Sequence, residues 1–183
     1  KSLPYDPAKD FAAIAPLALN EFVLVANPGT GVKTLPQMIA FAKAKQGKVA
    51  YGSAGVGTPN HLFMEQLLKA AGIQMTHVPY KGGAAAVTDL VGGQIDFMLA
   101  GIAPALPHIR AGKLNAVAVT QPTRSKVLPD VPTAGETLAG FGTKTWFGLF
   151  APAGTKPEVI ARLNKDVRQT LAQPDVQQRL AAQ

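Results

Sequence analysis

Between Val49 and His61 the chain reads Val-Ala-Tyr-Gly-Ser-Ala-Gly-Val-Gly-Thr-Pro-Asn-His, and Leu62 to Leu68 continue it with helix formers. This stretch restricts the fold strongly, because its residues dictate a strand, a tight turn and a helix start in that order. Gly52, Gly55 and Gly57 let the backbone take positive φ and approach another group closely. Thr58 suits an N-cap and Pro59 the first helical position. The first amides of a helix lack an intrahelical partner, and the dipole adds about half a positive charge there. The turn from Ser53 through Ala54, Gly55, Val56, Gly57 and Thr58 is therefore read as a cradle for a carboxylate or phosphate, with His61 in the first helical turn as a further contact.

The surrounding chain alternates strand and helix. After an irregular lead over residues 1–16, Leu17–Asn20 and Phe22–Ala26 are β-rich, and Asn27-Pro28-Gly29 breaks them before a helix over Leu35–Lys45. A strand over Met75–Tyr80, a helix over Ala84–Val91, a strand over Ile95–Ala100, a short helix ending near Arg110 and a strand over Asn115–Thr120 follow. Such alternation predicts a parallel or mixed sheet covered on both faces, with a ligand site beyond the strands' carboxyl ends. Residues 121–145 read as a surface loop, followed by a strand from Trp146, a helix over Pro157–Leu171 and a last helix from Pro174. Phe22–Pro28 and Phe147–Pro152 share one pattern, a strand closed by proline and Gly-Thr before a helix, which suits two similar α/β lobes.

Composition narrows the function. The 183 residues suffice for a core without disulfides, and there is no cysteine, which excludes thiolate metal sites and thiol chemistry. The net charge of +7 is spread evenly, with 8 Lys/Arg and 5 Asp/Glu in residues 1–92 against 10 and 6 in residues 93–183. Without a basic patch or interleaved aromatics, no nucleic-acid partner is expected. No apolar run reaches the roughly 18 residues that a membrane span needs. The first residues show no signal-peptide pattern.

Ser53 stands in Tyr-Gly-Ser-Ala-Gly, half of a nucleophile elbow, but Tyr51 occupies the position where that motif has its first glycine. A small α/β serine hydrolase using Ser53 is the alternative function. A Walker motif lacks its Lys-Ser/Thr, and a dinucleotide fold lacks its glycine order and its acid near position 76, so no cofactor is expected. His61, His77 and His108 have no metal-ligand spacing. Asp96, at the start of a buried-type strand, reads either as a ligand contact at the cleft or as an acid capping a neighbouring loop.

Five ordered stretches, Tyr51–Thr58, His77–Gly82, Ala105–Ile109, Leu128–Thr133 and Trp146–Thr155, closely resemble the substrate-binding proteins of tripartite tricarboxylate transporters, the Bug/TctC family. The resemblance covers nearly the whole chain. It implies a non-enzymatic periplasmic receptor of two α/β lobes, similar to type II periplasmic binding proteins, that closes on a small organic acid and hands it to membrane permease subunits. It also implies that Ser53–Thr58 is one half of a two-lobed carboxylate clamp.

Measured against the family pattern, the chain resembles a fragment lacking the N-terminal part of the first lobe and the C-terminal end. The expected organisation is residues 1–20 as lead and crossover, 21–120 as the second lobe, and 121–183 as a return segment with part of the first. Three amide bonds to a carboxylate supply roughly 4–9 kcal/mol before association costs, while micromolar affinity needs about 8 net. Weak binding by this chain alone is thus expected, as are dimerisation or domain swapping through uncovered apolar surface.

Overall fold

The computed structural model describes residues 3–45 and 47–181. Residues 1, 2, 46, 182 and 183 lie outside it, among them the first two of the expected lead and the last two of the expected return segment. The chain divides into two compact units, Glu21–Lys144 and the pair Lys1–Asn20 with Thr145–Gln183.

Within Glu21–Lys144, β2 (Phe22–Ala26), β3 (Ala50–Ser53), β4 (Thr76–Pro79), β5 (Phe97–Gly101) and β6 (Asn115–Val119) form one mixed sheet in the order β4-β3-β5-β2-β6. β3 runs parallel to β4 and β5, while β2 is antiparallel to β5 and β6. Helices α1 (Leu35–Lys45) and α2 (Pro59–Ala71) contribute to one buried cluster with Phe22, Leu24, Phe97 and Leu99. Helices α3 (Gly83–Val91) and α4 (Ile102–Arg110) contribute to another with Val23, Val25, Met98 and Ala100. Successive side chains of a strand point to opposite faces, so the unbroken apolar run of β2 serves both cores, and all five of its residues are buried.

In the other unit, β1 (Phe11–Asn20) pairs antiparallel with β7 (Thr145–Pro152), with register shifts between Ala13 and Ala15 and between Pro16 and Ala18. Helix α5 (Pro157–Leu171) packs on β1 and is followed by α6 (Pro174–Ala181). Asn164 donates from Nδ2 to the Ile14 carbonyl at 2.5 Å, and Ile14, Ala15 and Ala151 form the small buried core.

Two expectations change. Residues 11–16 belong to a ten-residue strand rather than an irregular lead, because pairing with β7 overrides the local signals of Pro16 and the alanines. The segment 121–144 belongs with Glu21–Lys144, so the expected boundary at 120 moves to 144. Local hydrogen bonds hold it there. Val119 donates to the Pro132 carbonyl at 2.9 Å, Thr143 donates to the Thr120 carbonyl at 2.8 Å, and the buried Thr120 and Thr143 hydroxyls lie 2.7 Å apart. Ala134 and Phe141 are buried in the same core as α1 and α2.

Candidate functional site

Strand β3 ends at Ser53, and the loop that follows turns on two glycines. Gly55 has φ +136° and Gly57 φ +81°, both costly for any side chain, and a Cβ at Gly55 would approach the Tyr80 carbonyl oxygen to 3.4 Å. Thr58 has the extended backbone of an N-cap, φ −70° and ψ 159°, but its side chain does not cap α2. Its hydroxyl donates instead to the Gly55 carbonyl at 2.7 Å. The expected capping bond is therefore absent, because the tight loop brings its own carbonyl within reach first. The first-turn amides of Asn60 and His61 get no side-chain cap and stay available to an external acceptor.

A second loop lies beside the first. Tyr80 donates its amide to the Ser53 carbonyl at 3.0 Å and Gly82 donates to the Ala54 carbonyl at 3.2 Å. Helix α3 then starts after Gly82, which has φ +115° and provides no side-chain cap. Two uncapped helix starts thus follow the carboxyl ends of the parallel strands β3 and β4, with the exposed Lys81 in the second loop. Their partial charges add, so the geometry suits a carboxylate or a similar anion.

Underneath the loop stands an aromatic stack. Tyr51 on β3 pairs in register with His77 on β4, their rings stacked 4.9 Å apart, and His61 stacks on the other side of His77 at 4.0 Å. The Tyr51 hydroxyl donates to Glu65, and burial followed by that carboxylate pushes its pKa up. Burial is also the main reason that the His77 pKa lies below its ordinary value; His61 adds to the effect and Glu65 opposes it. His77 Nε2 lies 2.7 Å from Ser53 Oγ, and Oγ accepts from the Gly55 amide at 3.1 Å. His61 Nδ1 accepts from the Gly57 amide at 3.1 Å.

The sequence-predicted residues Ser53, Ala54, Gly55, Val56, Gly57, Thr58 and His61 are brought together, whereas Asp96 is not. Its Oδ2 accepts from the Ala50 amide at 2.8 Å, at the start of β3, about 10 Å of strand away from the loop. Parallel pairing of β3 with β5 puts the residue before β5 at that opposite end, so Asp96 caps a strand start and is not a loop contact.

Ser53 is itself fully buried, with its hydroxyl shared between Gly55 and His77, and among the described residues no carboxylate hydrogen-bonds His77. A nucleophilic serine needs an open Oγ and an oriented base, and this arrangement offers neither. Among the described residues, no group of three His, Asp or Glu side chains is placed to hold a metal ion.

Sequence reasoning missed Tyr51, Glu65, His77 and Asn60 as parts of the site. Asn60 donates from Nδ2 to the Leu99 carbonyl at 2.7 Å and so fixes the first turn of α2 against β5. The signal for His77 would have been its registry with Tyr51, which requires knowing that β3 and β4 are parallel neighbours.

Comparison with known proteins agrees with this fold. The family model described as "Tripartite tricarboxylate transporter family receptor" matches residues 1–183. A protein from the tcbD-tcbE intergenic region of Pseudomonas sp. strain P51 is 37% identical over 176 residues, 95% of this chain and 52% of its own length. Among solved structures, MatC from Rhodopseudomonas palustris with bound malate has a TM-score of 0.90 at 35% identity, covering 100% of this chain and 62% of that one. An R. palustris protein with adipate has a TM-score of 0.89 at 29% identity, covering 96% and 59%. The periplasmic binding protein BugD has a TM-score of 0.88 at 32% identity, covering 97% and 60%. The chain thus spans about half the length of the curated relatives it matches.

Proposed function

The chain belongs to the tripartite tricarboxylate transporter receptor family, and from that premise we propose that it captures a small organic acid in the periplasm and delivers it to permease subunits, without turning it over. The loop Ser53–Thr58 grips the acid's carboxylate, with the amides of Ala54, Val56, Asn60 and His61 as donors. The observation that carries this reading is the Thr58 hydroxyl turned onto Gly55, which leaves the start of α2 uncapped. A bound carboxylate supplies the missing acceptor, and hydrogen bonds from amides to a charged group are the stronger kind. Support comes from the malate and adipate held by two of the similar proteins. Among the described residues no helix is long and apolar enough to cross a membrane, which suits a receptor that works beside its transporter.

The test is an amide NMR titration of this chain with malate, using glycerol as an uncharged control. Malate is expected to shift the Ala54, Val56, Asn60 and His61 amides while glycerol leaves them in place. Unmoved amides at the highest soluble malate concentration would overturn the assignment.

A further inference from the structure

The histidine stack makes contacts that carboxylate capture alone does not call for. His77 comes from β4, outside the loop, yet its Nε2 lies 2.7 Å from the Ser53 hydroxyl that accepts from the Gly55 amide. His61 comes from α2, and its Nδ1 is the acceptor for the Gly57 amide. Each histidine therefore holds one of the two glycines whose positive φ defines the loop. Their rings lie face to face at 4.0 Å, with an interplanar angle of 16°. We propose that His77 and His61 are positioning residues for the Ser53–Thr58 loop, and that the loop keeps its Gly57 anchor only while His61 is neutral.

The chemistry is direct. A neutral imidazole accepts through one nitrogen and donates through the other, so a His61 that accepts from Gly57 through Nδ1 carries its proton on Nε2. Protonation places a second proton on Nδ1. Two donors then face each other and the anchor is lost. His77 behaves differently, since its hydrogen bond to Ser53 survives in either direction: the hydroxyl can donate to a bare Nε2 or accept from a protonated one.

Helix α2 supplies His61 and Glu65, β3 supplies Tyr51, whose hydroxyl occupies Glu65, and β4 supplies His77. Burial lowers the His77 pKa, and a charge on the stacked His61 ring would lower it further. The switch therefore acts on Gly57 first and leaves Gly55 held. It does not depend on which ligand the loop takes.

The decisive measurement is the 15N–15N coupling across the hydrogen bond between the Gly57 amide and His61 Nδ1. It is expected at pH 8 and should vanish along the titration curve of the His61 ring on acidification; its absence at pH 8 would overturn the anchor. Hydrogen exchange of the Gly55 and Gly57 amides, corrected for intrinsic rates, tests the two roles separately. Acidification through the histidine range should speed Gly57 about tenfold in the parent and leave it unchanged in His61→Asn, whose side-chain carbonyl can accept without titrating.

His77→Phe keeps a ring in the stack but loses Nε2, so it should loosen Gly55. Ser53→Ala, which removes the acceptor itself, should loosen it at least as much, and the double variant no further than Ser53→Ala alone. If His77→Phe fails to fold, Ser53→Ala still reads the Gly55 arm. Additive effects, or a Gly55 amide indifferent to both changes, would refute the positioning role. Because no ligand is used, failure here is distinguishable from failure of the carboxylate assignment.

Discussion

Two strands of this chain carry nearly the same pattern and meet opposite surroundings. Phe22-Val-Leu-Val-Ala-Asn-Pro and Phe147-Gly-Leu-Phe-Ala-Pro each end in proline ahead of Gly-Thr and a helix. β2 lies between two strands with a buried cluster on each face, and its five residues are all buried. Among the described residues β7 pairs only with β1, and Trp146, Phe147 and Phe150 stay 54%, 57% and 46% exposed. Leu19, opposite Trp146 on β1, is 80% exposed. An apolar strand is thus a demand for partners rather than evidence that it has them. Its energetic weight comes from what packs against it.

The sharpest way to break that comparison is to remove matched side chains. Leu24→Ala opens a cavity in a sealed core and should cost about 2–5 kcal/mol, whereas Phe147→Ala removes a ring that is already mostly in water and should cost less than about 1. Urea unfolding followed by circular dichroism measures both. Equal losses would mean that β7 is covered in solution.

A second, smaller contrast uses glycines. A Cβ on Gly52 of β3 would come within 2.4 Å of Ile95 Cδ1, and one on Gly148 of β7 within 2.3 Å of the Trp146 ring. The nominal overlaps are alike, but Ile95 is 3% exposed and hemmed in, while Trp146 has open space to swing into. Gly52→Ala should cost about 1–3 kcal/mol and Gly148→Ala less than about 0.5, read from thermal melts. A large loss at Gly148 would show Trp146 to be pinned.

The smallest contrast is electrostatic. In the unit Glu21–Lys144, Arg124 donates two bonds to Glu136, at 3.0 and 2.8 Å, and Glu136 also accepts from the Thr133 amide. Together these hold the carboxyl at about 2, against an ordinary value of 4.5, with the arginine the larger cause. A lowered folded-state value stabilises the fold above the unfolded pKa, and the contribution fades as pH falls from 4.5 through 2. The deficit of Glu136→Gln relative to the parent should therefore be full at pH 6 and shrink towards pH 2. On α5 of the other unit, Arg162 meets Asp166 at 2.7 Å through one bond at an exposed i,i+4 site, and Arg162→Ala should change nothing measurable at either pH. Chemical denaturation at stepped pH separates the two cases.

Much of this was legible in the residues. Glycine spacing and Thr-Pro marked the loop, because positive φ and helix initiation are local properties. The alternation of strand and helix gave the mixed sheet, and the motif order gave the family. The two readings of Asp96 stayed open and His77 was overlooked for one reason, that neither neighbour order nor strand direction is written locally. Residues 121–144 read as a loop because proline and glycine punctuate them, yet hydrogen bonds to Val119 and Thr120 tie them to the sheet. By itself the sequence determined the shape of the Ser53–Thr58 turn, since two glycines and a helix start permit few alternatives. Only the tertiary structure decided that the turn would be held by histidines from β4 and α2, because strand register brings Tyr51, His77 and His61 into one stack and no local rule fixes register.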